Sequence, residues 1–355
     1  MTVTALRPDA PAPADSTVEG RPILELADVS RTFRVPDGVI TAVDRISLAI
    51  AKSEALCLVG ESGCGKTTTG RMMAGILRPT SGQVRYQGED VWGKKGSELS
   101  TFRRAVQLVH QDPYASLNPT RTVFQTLSAP LFHHKKVRGS RDAMQRVRDL
   151  LQLVGLTPPD DFLVKFPHQL SGGQRQRVAI ARALTVDPRV IVADEAVSMV
   201  DVSIRISLLN LLLGLRDEMG VSIVLITHDL AVARYFARQG RIGVMYLGRM
   251  VELARSEALV SDPAHPYSAA LIAAIPEADP RITRTKTRVE LRSAEVPSLL
   301  ALPSGCTFHP RCPLAEPGLC DVEVPALLPL PDETPREVAC HVAVRERTPA
   351  AELIR

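Results

Sequence analysis

Aromatic residues are scarce in this 355-residue chain: one Trp, five Tyr and eight Phe, 4% in all. That excludes an aromatic platform of the kind that stacks single-stranded nucleic-acid bases. Net charge is also small, because 43 Lys and Arg against 39 Asp and Glu leave only +4. Such a balance gives no case for nucleic acid on charge alone. No apolar run reaches the ~18 residues of a membrane span. The richest stretch, Leu208 to Leu215, is broken by Asn210 and flanked by Arg205 and Arg216. The N-terminus has no continuous apolar segment, so a secretory signal is not expected. A cytosolic setting follows, in which the six cysteines are not structural disulfides. What is present is ordinary: 45% hydrophobic and 23% charged residues. That composition supports a sizeable core, and the length suits two domains or one large domain with an appendix.

Residues 1–20 hold four Ala and three Pro and few large apolar side chains, and are expected to be a disordered tail. From Ile23 the pattern turns β-like, first over Ile23–Val29 and then over Ile46–Ile50. Three later runs, Ala55–Val59, Val190–Ala193 and Val221–Ile226, are short, continuously apolar and abruptly ended by polar residues. Strands of a parallel sheet covered by helices on both faces read this way. In open α/β sheets, ligands bind at the C-terminal ends of such strands. Between about Pro113 and Ala183 helical spacing dominates, as in Met144, Val147, Leu150, Leu151 and Val154 before Gly155. This predicts a helical subdomain, about 113–183, inserted into an α/β core. After Pro276 the chain is rich in Pro and Arg and carries four cysteines, a third compositional regime.

The strand ending at Val59 runs into Gly60-Glu61-Ser62-Gly63-Cys64-Gly65-Lys66-Thr67, the G-x-x-x-x-G-K-T phosphate loop between a strand and a helix. Glycines let successive N–H groups curl around phosphate oxygens, and the following helix aims its positive end at the same place. Gly60, Ser62, Gly63, Cys64, Gly65, Lys66, Thr67 and Thr68 are therefore the candidate ATP-binding residues. Lys66 is expected to reach the β- and γ-phosphates and the Thr67 hydroxyl to ligate Mg²⁺. Val190–Ala193 ends in Asp194 and Glu195. Asp194 is placed to support Mg²⁺, and Glu195 to face the attacking water as base or positioner. Ser171-Gly172-Gly173-Gln174 opens a helix with a serine cap and exposed first N–H groups, a second phosphate cradle. Two cradles in one chain suit a head-to-tail pair of chains, each phosphate loop facing the other's second cradle.

With these motifs in order, the sequence resembles the ATP-binding subunits of ABC transporters over about 24–275. The narrower resemblance is to the oligopeptide/dipeptide/nickel importer group. It is carried by Val59-Gly60-Glu61-Ser62-Gly63, by Gln111-Asp112-Pro113-Tyr114-Ala115-Ser116-Leu117-Asn118-Pro119, by His265-Pro266-Tyr267 and by Ser304–Pro313, and it extends to about His341. The implied fold is a P-loop α/β ATPase core with an antiparallel β-subdomain over 21–275, the inserted helical subdomain, and a C-terminal extension over 276–355. The resemblance implies that Gln111 touches Mg²⁺ or the water and that His228 bonds the γ-phosphate. It further implies that Asp201 works across a dimer interface and that Phe33 stacks on adenine. It implies ATP and Mg²⁺, two permease subunits, a second ATPase subunit and, indirectly, a solute-binding protein. It implies no nucleic acid, and a peripheral place on the cytoplasmic face of the membrane. Cargo is then set by the binding protein and permeases. The rival reading is a non-transport ATPase of the same type acting on nucleic acid or ribosomes; only about a hundred residues separate Thr67 from Ser171, which leaves no room for a long coiled-coil insertion. The chain departs from the group at Ala196, where proline is usual, and at Ser198-Met199-Val200-Asp201, Ser53 and His110. None of these removes a phosphate or metal ligand; they put the rigidity of the loop after Glu195 in doubt, not the chemistry.

Cys57 lies in an apolar strand and reads as core, and Cys64 sits where the backbone carries the chemistry. Cys306, Cys312, Cys320 and Cys340 cluster in the Pro-rich extension. Four such thiols in a cytosolic chain suggest a metal site, although the spacing matches no zinc knuckle. The resemblance favours a [4Fe–4S] cluster there; zinc and plain reduced thiols stay open. Such a site is expected to clamp an extension too poor in apolar periodicity to fix itself.

Overall fold

Two β-sheets face each other across one apolar layer. The computed structural model describes residues 21–112, 116–198, 200–275, 289–330 and 335–354; the tail expected over 1–20 lies outside them. The strands are β1 (Leu24–Val35), β2 (Gly38–Ile50), β3 (Ala55–Val59), β4 (Ser81–Tyr86), β5 (Glu89–Asp90), β6 (Val106–Val109), β7 (Val190–Asp194), β8 (Ser222–Ile226), β9 (Arg241–Tyr246), β10 (Arg249–Arg255), β11 (Leu328–Pro329) and β12 (Arg336–Val338). The helices are α1 (Lys66–Met73), α2 (Gly96–Ala105), α3 (Val123–His133), α4 (Ser140–Leu153), α5 (Asp160–Leu163), α6 (Gly172–Leu184), α7 (Val202–Met219), α8 (Leu230–Phe236), α9 (Ser256–Ser261), α10 (Pro266–Ala273), α11 (His341–Glu346) and α12 (Ala350–Leu353).

The smaller sheet, ordered β2-β1-β4-β5, is antiparallel throughout. The larger is ordered β11-β12-β10-β9-β3-β8-β7-β6, and its run from β9 to β6 is parallel. The three continuously apolar runs are the middle of this parallel part, fully buried on both faces. Their side chains alternate between two cores, as the twofold period of a strand requires. Leu56 and Leu58 of β3, with Val224 and Ile226 of β8, meet the antiparallel sheet and Met72 and Met73 of α1. Ala55, Cys57 and Val59, with Ile223 and Leu225, meet the helices on the other face.

Between β6 and β7 the chain makes α3, α4, α5 and α6. Thr122 opens α3 through a reciprocal cap with Gln125, which satisfies two otherwise orphaned N–H groups. Val147, Leu150 and Leu151 of α4 are buried against Leu127 and Leu131 of α3 and Val178 of α6. Gly155, at φ 72, takes the chain out of α4 in a left-handed turn that other residues resist. Among the described residues no helix is long and apolar enough to cross a membrane.

The extension docks by means other than a metal. β12 adds to the larger sheet along β10, pairing Glu252 with Val338 and Ala254 with Arg336. Phe308, Leu330, Val338 and Ala343 are each at most 3% exposed. Cys306, Cys312, Cys320 and Cys340 do converge on one small apolar cavity, which Phe308, His265 and Val342 help to line. The expected metal or iron–sulfur centre is nevertheless overturned. Among the described residues, no group of three or more His, Cys, Asp or Glu is arranged to hold a metal ion. The physical setting is an apolar, desolvated cavity. Metals bind the thiolate, and burial pushes the Cys312 thiol up to about 12 and Cys340 up to about 11, with Cys306 also raised. These thiols behave as small hydrophobic side chains, and sheet addition supplies the anchoring that the sequence had suggested a metal must supply.

Candidate nucleotide site

β3 ends at Val59 in the middle of the parallel run, and the chain turns through 60–65 into α1. Gly60 and Gly65 hold φ of 151 and 102. A Cβ at Gly60 would stand 2.1 Å from the Met245 carbonyl oxygen, and one at Gly65 would stand 2.2 Å from that of Ala42. No side chain fits either position, so the backbone itself forms this wall of the loop. α1 begins without a side-chain cap, which leaves its first N–H groups for an anion. Lys66 is 5% exposed, and its Nζ donates to the carbonyls of Gly60 at 2.8 Å and Glu61 at 2.9 Å. It also lies 3.7 Å from Cys64 Sγ; an ammonium group held by main-chain oxygens and a thiol can exchange them for phosphate oxygens of greater charge. Ser62 and Gly63 form the exposed tip, Thr68 is half-buried on α1, and Cys64 is turned inward with its thiol raised by burial.

Three neighbouring strand ends deliver the polar groups. β7 ends in Asp194, whose Oδ1 accepts from the Thr67 hydroxyl at 3.0 Å. Burial raises the Asp194 carboxyl, the Thr67 bond opposes this, and the Glu195 charge pushes further up. Gln111 follows β6 and donates its Nε2 to Glu195 Oε2 at 2.8 Å. His228 follows β8, with its Nδ1 3.2 Å from Glu195 Oε1. Both oxygens of Glu195 are therefore held. Its backbone is strained, at φ 45, a region that residues with a Cβ occupy only when their surroundings impose it. Those surroundings are visible: its N–H donates to Ile226 O at 2.9 Å, and its carbonyl accepts from Ser198 Oγ at 2.8 Å and Ser198 N at 3.1 Å. The loop that lacks the usual proline at Ala196 is thus tied by Ser198. Met199 lies outside the described residues. The Thr67 hydroxyl and Asp194 carboxylate adjoin as oxygen donors, a chemistry that fits a hard divalent cation such as Mg²⁺.

Other expected residues stand apart from this group. Ser171 and Gln174 bond each other at the start of α6: Ser171 Oγ accepts from Gln174 N at 3.3 Å, and Gln174 Oε1 accepts from Ser171 N at 3.0 Å. Gly172 is the first residue of α6, and Gly173 lies against Ile204 of α7, where a Cβ would come within 2.4 Å. Asp201 is exposed at the start of α7 and caps nothing with its side chain. Phe33 lies on β1 with the Arg31 guanidinium 4.8 Å from its ring centroid.

A family model of ABC transporters matches residues 43–198, and one of the oligopeptide/dipeptide transporter C-terminal region matches residues 251–320. A probable peptide ABC transporter ATP-binding protein of Sinorhizobium fredii is 46% identical, over 90% of this chain and 86% of that one. The chain belongs to the ABC transporter ATP-binding proteins. Within that family, the oligopeptide transport ATP-binding protein AppF of Bacillus subtilis is 41% identical over 90% of this chain and 97% of its own length. OppF of Escherichia coli is 40% identical over 85% and 92%. Among solved structures, cbiO1 of Clostridium perfringens, part of an ABC transporter complex, superposes with a TM-score of 0.60 at 25% identity, covering 75% of this chain and 99% of that one. The ATP-binding cassette MJ0796, in a dimeric post-hydrolysis state bound to ADP and Pi, gives a TM-score of 0.59 at 30% identity, over 66% and 98%. The ABC fold read from the motifs is the fold observed, and these relatives give the iron–sulfur expectation no support.

One set of residues beside the loop escaped the motif reading. Tyr246, Tyr267 and Arg311 stand behind Glu61, contributed by β9, α10 and the extension. Their motifs were legible as strings, in His265-Pro266-Tyr267 and in Ser304–Pro313, but nothing in a string says that they meet at the phosphate loop.

Proposed function

We propose that this chain is the ATP-hydrolysing subunit of an importer, powering peptide uptake through partner permeases. The observation that most supports hydrolysis is Glu195, a carboxylate on a strained backbone at a strand end, with one oxygen held by Gln111 and the other beside His228. A group fixed in this way can orient a water and take its proton without reorganising. Lys66 and the uncapped N–H groups of α1 hold the phosphates. Thr67, Asp194 and Gln111 are the residues that would hold Mg²⁺, which would supply positive charge to the phosphate oxygens. His228 keeps its second ring nitrogen for the γ-phosphate, and Phe33 offers its face to the adenine.

The second cradle, Ser171 to Gln174, serves the nucleotide of a second ATPase subunit in a head-to-tail dimer, with Asp201 at the seam. The relatives' roles in oligopeptide transport support peptides as cargo. The subunit works on the cytoplasmic face, where ATP is, bound peripherally to two permeases and coupled through them to a solute-binding protein. An open groove of about 440 Å³, lined by Ser116, Asn118, Arg121, Thr126, His133 and Arg182, follows Gln111 closely in the chain and suits a permease loop. The test is ATP hydrolysis by the full transporter in proteoliposomes. Peptide-loaded binding protein should stimulate it, and Glu195→Gln should abolish the stimulation. Hydrolysis indifferent to permeases but stimulated by nucleic acid or ribosomes would reverse the reading.

A further inference from the structure

The phosphate loop is gripped from behind by the C-terminal extension. Glu61 is the second residue of the loop, and its main chain is held at both its N–H and its carbonyl. Its N–H donates to the Tyr267 hydroxyl oxygen at 3.0 Å, and its carbonyl accepts from Lys66 Nζ at 2.9 Å. Its carboxylate faces Arg311, whose Nη1 donates to Oε1 at 3.1 Å and Oε2 at 3.3 Å, and also to the Tyr246 hydroxyl at 3.3 Å. Arg311 is 6% exposed. Its buried Nε has no hydrogen-bond partner. A guanidinium held inside with one donor unspent, while another reaches the loop, has been oriented by the loop's needs and not by its own.

The platform behind it is stiff. Tyr246, Tyr267 and Phe308 are buried with ring centroids 4.6, 5.2 and 5.4 Å apart. Offset and edge-on aromatic rings at such distances resist displacement. The placement of Tyr267 is fixed in turn by Glu252, which is fully buried and accepts from Ala264 N and His265 N at 2.8 Å each. His265 Nδ1 then accepts from Tyr267 N at 3.0 Å and starts α10.

We propose that Arg311 is a positioning residue for nucleotide binding: the extension, through Arg311, together with Tyr267 of α10, fixes the Glu61 main chain and so the direction of the loop's phosphate-binding groups. Rotation of that main chain would move a carbonyl that holds Lys66 and the N–H groups that follow it. Glu195, Gln111 and His228 sit on other strand ends and would stay in place. Loss of Arg311 therefore weakens ground-state binding of nucleotide more than it slows the chemical step.

This rests on reading 60–67 as the phosphate loop, and the experiment separates the two. MgATP hydrolysis by the full-length chain is measured together with binding of a fluorescent ATP analogue. Arg311→Ala is expected to raise KM about tenfold with kcat changed less than about threefold. Arg311→Met, which keeps most of the volume against Phe308 and Tyr246, should show the same rise. Arg311→Lys, which keeps the charge, should bring KM back to within about threefold of the parent. An unmoved KM in Arg311→Met, or equal values for the Met and Lys variants, overturns the proposal. So does a fall in kcat alone, the sign of a reduced folded fraction. Should Arg311→Ala fail to fold, the Met and Lys pair decides. If Lys66→Ala binds the analogue normally, the phosphate-loop reading falls and this inference with it. If Lys66→Ala loses binding while Arg311→Met does not, only this inference falls.

Discussion

The candidate nucleotide site at the strand ends and the thiol nest in the extension are both gatherings of chemistry-bearing side chains, with opposite surroundings. At the strand ends, Asp194, Glu195, Gln111, Thr67 and His228 interlock through hydrogen bonds at the mouth of a parallel sheet. In the extension, Cys306, Cys312, Cys320 and Cys340 face an apolar cavity closed by Phe308 and Val342. Hydrogen bonds link the polar groups in the first place; in the second, burial pushes the Cys306, Cys312 and Cys340 thiols up, away from the thiolate. Shared location makes a site only where the surroundings leave the groups polar partners and access to a ligand.

The contrast can be broken in four ways. The largest effect is expected for Glu195→Gln, which should lower kcat by about 10²–10⁴ while MgATP binding survives. Turnover within threefold of the parent in a steady-state assay would remove Glu195 from the chemistry. Next, Lys66→Ala should weaken binding of a fluorescent ATP analogue about 10- to 100-fold, the loss of a charge-assisted bond.

The third test is made on the other region. The Cys340 thiol is pushed up to about 11, so the thiolate fraction, and with it the maleimide labelling rate followed by mass spectrometry, should rise about tenfold per pH unit from pH 7 to 9. A plateau near the ordinary thiol value, about 8.5, would show that the nest opens to water before it reacts. The smallest effect is expected for Tyr267→Phe. It removes the oxygen that accepts from Glu61 N and should raise KM for MgATP about two- to fivefold, the loss of one neutral hydrogen bond. An unchanged KM would detach α10 from the phosphate loop.

The amino-acid order alone carried the phosphate loop, the acid pair at Asp194 and Glu195, the capped helix at Ser171 and the three buried strands. Each is a local statement, because loop, cap and strand are set by residues that adjoin in the chain. The α/β class followed, since short apolar runs ending in polar residues fit a covered parallel sheet. Cys64 was only half legible: its place in the loop could be read, but not its burial. The thiol nest was misread, because a spacing of cysteines says nothing about the dielectric they will occupy. Packing decided that: β12 joined β10, Phe308 and Val342 closed the cavity, and the thiols became core. Packing also decided that Gln111 and His228, on different strands, would both reach Glu195, and that Arg311, 250 residues from Glu61, would hold the phosphate loop. Contacts between such distant residues depend on sheet order and on which faces are buried, and those are properties of the whole folded chain.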